Sequence, residues 1–236
     1  MGNEYRMGIN KLDTAHDEPI NAEHLPESTT TVLGIDVSHH NVVTDWNRVK
    51  RAGIEFAIVR VSHGIKQDRT FRSHLAGARQ AGLVVGCYHY FETAGCYQDG
   101  GMPMAQAAVF VDGMRMAGLV GAKGVLSPVL DIEEGTADAM SLLTWLSEVE
   151  AATELCPWIY TMLGWWGPNI GEDQRFGRYP LWAADWTPPL DIPKPWTDVV
   201  MWQHTNVGRV DGIEGNVDLN RFNGSLETLR WLAGLR

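Results

Sequence analysis

From residue 32 onward the chain alternates short apolar runs with amphipathic stretches, and this alternation constrains the fold more than any other feature. "VLGIDVS" (32–38), "FAIVRVS" (56–62), "LVVGCYHYF" (83–91), "VLSPVLDIE" (125–133) and "PWIYT" (157–161) have the length and apolar content of buried strands. Helical patterns follow the first four. They cover 44–53, with Thr44 as N-cap and Gly53 as C-cap; 69–82, ending at Gly82; 103–118, opening on Pro103; and 137–153. Beyond 161 long helices give out. Residues 179–186, 199–205 and 216–222 read as three more strands joined by Pro- and Gly-rich loops, and 225–235 as a closing amphipathic helix. Strands alternating with helices predict an α/β fold, and eight strands is the number that closes a barrel around a side-chain-filled interior. The expectation is one barrel domain over 32–236. Residues 1–31 are polar, carry the run "PESTTT", and form an extension outside it.

Composition narrows the function classes. The net charge is −10, with no Lys/Arg cluster to offset it, which excludes a nucleic-acid surface. Three widely spread cysteines without a C-x-x-C imply neither a disulfide framework nor a zinc site. The N-terminus lacks a basic segment followed by an apolar one, so no signal peptide is expected. No apolar run approaches the ~18 residues that cross a membrane, so no membrane insertion is expected either. The chain is expected to be made in a cytoplasm and delivered by other means. Ten tryptophans are many for 236 residues, and rings of this kind pack cores or line carbohydrate grooves.

The acids are the informative residues. Asp131 and Glu133 end the fourth predicted strand two positions apart, hence on one face and roughly 6.5–7 Å from each other. Such proximity is costly, because like charges repel and burial penalises both. In barrels of this kind the reacting groups gather at the carboxyl ends of the strands. Asp36 lies near the end of the first strand and Asp218 within the last, and barrel closure makes those two strands neighbours. Aromatic residues accompany them: Tyr88 and Tyr90, Tyr160, Trp182 and Trp186, and Trp202. An acid pair framed by aromatic rings is the composition of a glycoside hydrolase site. A divalent metal is the competing use of carboxylates, but D-x-E supplies only two ligands and no H-E-x-x-H accompanies it. No metal and no cofactor are expected.

Several segments, in order and spacing, resemble family 25 glycoside hydrolases, the Ch-type lysozymes. They are "GIDVSHHN", "GIEFAIVRVSHG", "AGLVVGCYHYF", "PVLDIEE", "PWIYT", "PLWAADW" and "MWQHTNVGRVDGIEGNVDLNRF", and together they span 33 to about 223. The resemblance implies a flattened, TIM-like (β/α)5(β)3 barrel that cleaves the β-1,4 bond from N-acetylmuramic acid to N-acetylglucosamine in cell-wall peptidoglycan, without a cofactor. By position, Glu133 would be the general acid, with Asp131 ionised beside it as the second carboxylate. Asp36 and Asp218 would tune the pair, and Tyr88, Tyr90, Tyr160, Trp182, Trp202 and Gln203 would line the groove. Retention of configuration is implied. Whether Asp131 attacks the sugar or orients its 2-acetamido group stays open at this level.

The chain departs from the family pattern at His39-His40-Asn41, at Arg60 and His63, and at Asp185, an additional acid near the rim. The loop 96–104 is expected to shape one end of the groove. A setting as a phage-encoded lysin is expected, with residues 1–31 docking to a larger particle; a bacterial enzyme exported by another route is the alternative. Two other readings compete: a non-catalytic peptidoglycan- or chitin-binding module, which need not keep Glu133, and a chitinase-like hydrolase. Ser127 and Val129, where that second motif needs acids, argue against it.

Overall fold

The computed structural model describes residues 31–93 and 102–235. The expected extension (apart from Thr31) and most of the 96–104 loop lie outside the described residues. Eight strands form the barrel: β1 (Val32–Val37), β2 (Ile54–His63), β3 (Val84–Tyr90), β4 (Val129–Asp131), β5 (Trp158–Thr161), β6 (Leu181–Ala184), β7 (Met201–Gly208) and β8 (Val217–Phe222). The pairing β1–β2–β3–β4–β5–β6–β7 is parallel throughout. β8 then runs antiparallel to both β7 and β1, closing the ring.

Helices α1 (Trp46–Arg51), α2 (Phe71–Gln80), α3 (Pro103–Met116) and α4 (Ala139–Thr153) follow the first four strands, as the pattern predicts. The α1 cap differs from expectation. Asp45, not Thr44, accepts the Asn47 and Arg48 amides at 2.8 and 3.1 Å, while Thr44 donates its hydroxyl to the Gly212 carbonyl at 3.1 Å. A carboxylate offers the free N–H groups a charged acceptor, so it wins the cap. Several short elements lacked a sequence signal, two of them near the site. The seven-residue helix α5 (Leu163–Asn169) contains Pro168, and a two-residue ribbon pairs Val42–Val43 with Ile213–Glu214.

Strand periodicity sorts the side chains into two cores. Ala57, Val59 and Val61 of β2 face outward and pack with Phe71, Phe110 and Trp145 of the helices. Phe56 and Ile58 face inward and fill the barrel with Val84, Val129, Trp158, Trp182, Met201 and Phe222. At one end the interior is plugged by Leu229 and Ala233, from and just after α6 (Leu226–Leu232). Gly34 is required here: a Cβ on it would lie 2.1 Å from the Phe56 ring. Continued to the other end, the same inward positions stop being apolar and become Asp36, Arg60, Tyr88, Asp131, Tyr160 and Gln203.

Candidate active site

That polar end opens into a cleft of about 520 Å³. The four predicted acids, Asp36, Asp131, Glu133 and Asp218, all line it. Asp36 and Asp218 are directly opposed in the β1–β8 register. Asp218 sits at the start of its strand, and only the reversed direction of β8 brings that start to the mouth where the other strands end.

Asp36 is held from below. Its Oδ2 accepts Asn220 Nδ2 at 2.8 Å and Gln203 Nε2 at 3.0 Å, and Trp182 Nε1 donates to Asn220 Oδ1 at 2.8 Å, which fixes that amide. Burial raises the Asp36 carboxyl against these hydrogen bonds. Asp218 is pushed up to about 8 by burial, by the charge of Asp36 and by the hydrogen bond between them. The two carboxyls therefore titrate as one coupled pair, each disfavouring the charge of the other.

Glu133 is pushed up to about 7 by burial, with the charges of Asp36 and Glu134 adding; a phenol proton donated by Tyr160 would oppose them. That leaves Glu133 poised for proton transfer near neutral pH. Asp131 differs from expectation. It is 6% exposed, its Oδ1 is buried without a hydrogen-bond partner among the described residues, and burial together with the charges of Glu133 and Asp36 drives its carboxyl well above the ordinary range. Sequence reasoning kept Asp131 ionised beside a protonated Glu133. With these carboxyls crowded at one mouth and Arg60 the only Lys or Arg lining it among the described residues, both members hold protons more tightly than free acids do.

Of the predicted groove aromatics, Tyr88, Tyr90, Tyr160 and Trp182 line the cleft, as does Gln203. Trp182 is 2% exposed and its indole N–H is taken by Asn220, so it forms floor rather than platform. Trp202 is a correction. It does not line the cleft: it alternates with Gln203 on β7 and so faces outward, its Nε1 donates to the Asp185 carbonyl at 2.7 Å, and the Arg221 guanidinium lies 5.4 Å from its ring centre. The exposed rim ring is Trp186, 46% exposed, whose Nε1 donates to Gln203 Oε1 at 3.1 Å. Asp185 is likewise no cleft acid. Its two oxygens accept the Thr187 and Asp191 amides, each at 2.9 Å, and shape the loop after β6.

The sequence reading gave no role to the group that holds Arg60. The Asp68 side chain is 1% exposed. Its Oδ2 accepts Arg60 Nε at 2.9 Å and His39 N at 3.0 Å, and its Oδ1 accepts Thr70 N at 2.9 Å and Thr70 Oγ1 at 2.7 Å. Burial alone would raise Asp68, but these donors hold it below the usual carboxylate range. The available signal was Arg60 itself: strand alternation put an arginine inside a barrel, and a buried guanidinium requires a counter-charge.

Known proteins resemble this chain in sequence and fold. The sequence model of glycosyl hydrolases family 25 matches residues 35–213. Lysozyme M1 of Streptomyces globisporus is 33% identical over 226 residues, covering 88% of this chain and 73% of that one. The crystal structure of the bacterial lysozyme from Streptomyces coelicolor superposes with a TM-score of 0.75 at 31% identity, covering 87% of this chain and 98% of that one. A family GH25 lysozyme from Aspergillus fumigatus gives 0.72 at 29% identity, over 86% and 99%. With a matching family model over most of its length and a relative one-third identical, this chain is a glycoside hydrolase and belongs to glycosyl hydrolases family 25.

Proposed function

We propose that the chain is a lysozyme of the 1,4-β-N-acetylmuramidase type, hydrolysing the bond from N-acetylmuramic acid to N-acetylglucosamine in bacterial peptidoglycan. Peptidoglycan hydrolysis follows from the family and its lysozyme relatives; the bond and the mechanism are inferred from the site. The observation that carries the reading is Glu133, raised to about 7 at the rim of a cleft that also holds Asp131. Glu133 donates its proton to the leaving oxygen as the sugar becomes oxocarbenium-like. Asp131 is buried, and its Oδ1 lacks a donor among the described residues. A substrate amide N–H placed against that oxygen would satisfy it and favour its ionised form. This supports Asp131 orienting the 2-acetamido group, whose oxygen attacks the anomeric carbon, over direct attack by a deeply buried carboxyl. Retention of configuration follows. Trp186 is the ring on which a sugar stacks.

The test is mass spectrometry of digested peptidoglycan. Reducing-end muramic acid is expected, and its loss in Glu133→Gln. Reducing-end glucosamine or cleaved stem peptides would overturn the reading. Action as a phage lysin with particle docking through residues 1–31 is a separate proposal. Deleting those residues should leave wall hydrolysis intact and abolish incorporation into the particle.

A further inference from the structure

Tyr160 has one phenol proton and two acceptors. Its oxygen lies 3.0 Å from Gln203 Oε1 and 3.2 Å from Glu133 Oε2, and Tyr160 and Gln203 are 5% and 3% exposed, so water does not resolve the conflict. The orientation of the Gln203 amide is settled by its other contacts. Its nitrogen must face Asp36 Oδ2 at 3.0 Å, because a carboxylate already accepting from Asn220 cannot take a carbonyl oxygen; its oxygen must face Trp186 Nε1 at 3.1 Å, because an indole only donates. Gln203 Oε1 is therefore an acceptor toward Tyr160, and the closer of the two.

We propose that Gln203 is a positioning residue for the acid: it claims the Tyr160 phenol proton, so that Tyr160 receives the proton of Glu133 instead of donating to its carboxylate. The inference rests on reading Glu133 as the proton donor. The chain of donors then runs from Glu133 O–H to the Tyr160 oxygen, from Tyr160 O–H to Gln203 Oε1, and from Gln203 Nε2 to Asp36. While Glu133 is protonated, every member is satisfied with the phenol proton on its closer acceptor; an ionised Glu133 gains a donor only by drawing that proton away from Gln203, so the network favours the acid form. The acids and phenols around Glu133 act in the same direction: Asp131 and Glu134 beside it on the chain, Asp36 from β1, Tyr90 from β3 and Asp218 from β8; against them stands Arg60 from β2, the one Lys or Arg lining the cleft among the described residues, where the imidazoles of His40 and His63 also lie.

The same triad serves the other half of the reaction. Once Glu133 has given its proton to the leaving oxygen, its carboxylate needs a donor, and Tyr160 can turn its proton from Gln203 to Glu133. Gln203 Oε1 is not orphaned by the turn, because Trp186 Nε1 still donates to it. Burial and the surrounding acids keep the phenol protonated, so Tyr160 carries one proton in both states and only its direction changes. Glu133 regains its proton from the attacking water, and the phenol turns back.

The experiment is an NMR titration of the Glu133 carboxyl in protein carrying 13C-labelled glutamate, the signal assigned by its absence in Glu133→Gln. Tyr160→Phe removes one oxygen and no volume. The proposal expects its Glu133 midpoint to fall by about one pH unit, the scale of one hydrogen bond lost to the acid form. Gln203→Leu should move it the same way, since the freed phenol then donates to the carboxylate. A midpoint that rises in Tyr160→Phe means that the bond with Tyr160 favours the carboxylate of Glu133 over its acid form, and overturns the proposal. An unchanged midpoint overturns it as well. Full wall hydrolysis by Glu133→Gln would instead remove Glu133 as the acid, while the titration would still report whether the triad is wired as described.

Discussion

The charge pair under the cleft offers the most quantitative test of how the mouth is built. Asp68→Asn keeps size and shape but removes the counter-charge of Arg60, whose side chain is 7% exposed. Whichever way the new amide turns, its NH2 meets donors, either Thr70 N and Oγ1 or Arg60 Nε and His39 N. Thr70 Oγ1 can rotate to accept; the guanidinium cannot, so the NH2 settles toward Thr70 and Arg60 keeps a neutral acceptor only. Breaking a buried pair by neutralising one partner costs roughly 3–5 kcal/mol, and the retained acceptor places this variant near 3. With an unfolding entropy of about 2.1 cal/mol/K per residue over about 200 ordered residues, 3 kcal/mol lowers Tm by about 7 °C. The pH dependence has a definite sign. Asp68 lies below the usual carboxylate range in the folded protein, so its contribution is complete above the unfolded value of about 3.9 and fades as pH falls through the folded one. Calorimetry of parent and variant between pH 7 and pH 2.5 should show a full gap at pH 7 that narrows below about pH 4. Adding Arg60→Met, which removes the stranded cation, should recover part of the loss. A gap under 2 °C at pH 7, or one that widens on acidification, would refute the argument.

Three further outcomes follow from the same geometry. Because Glu133 is raised to about 7 from an ordinary 4.5, its ionisation opposes folding as pH rises through that window. Glu133→Gln should thus be more stable than the parent at pH 8 by on the order of 2 kcal/mol and equal to it near pH 4, read from thermal melts; a less stable variant at pH 8 contradicts the burial argument. Gly34→Ala drives a methyl to 2.1 Å from the Phe56 ring in the barrel interior and should cost about 1–3 kcal/mol in a urea titration. Trp186→Ala should raise KM for soluble peptidoglycan fragments about tenfold, the scale of about 1.4 kcal/mol of ring stacking, whereas Trp202→Ala should leave KM within twofold; equal effects would return Trp202 to the groove.

Most of the barrel is legible in the sequence because its strands are buried on both faces and its helices on one, so apolar runs and amphipathic patterns alternate without interruption. The acids are legible for the same reason: Asp131 and Glu133 interrupt an apolar run, and a charge in a buried strand stands out. What eluded pattern reading is decided by direction and partnership. Trp202 and Gln203 are adjacent in sequence, and only strand phase says which enters the barrel. Asp185 reads as a rim acid until the Thr187 and Asp191 amides are found on its two oxygens. α5 escaped because Pro168 and two glycines in seven residues carry almost no helical propensity; Trp165 and Trp166, buried beneath it, supply the stability instead.

The reversal of β8 has a chemical consequence that an all-parallel barrel would not have. In a parallel ring each strand brings its final residues to the mouth, and the neighbour of Asp36 would be the end of the last strand, Asn220 to Phe222. Running β8 the other way puts Asp218 there and leaves Asn220 one inward position below, where its amide donates to Asp36. Asp36 thereby gains the Asn220 amide from beneath, next to the Gln203 amide of β7, and a coupled carboxyl beside it. These hydrogen bonds favour its charged form in a site where burial pushes carboxyls toward neutrality. That charge raises Glu133 and Asp131 and, through Gln203, anchors the amide that sets the direction of the Tyr160 proton. The proton affinity of the cleft mouth is therefore a collective property of β1, β4, β5, β7 and β8, and substitutions at Asn220 or Gln203 should shift the pH profile of hydrolysis.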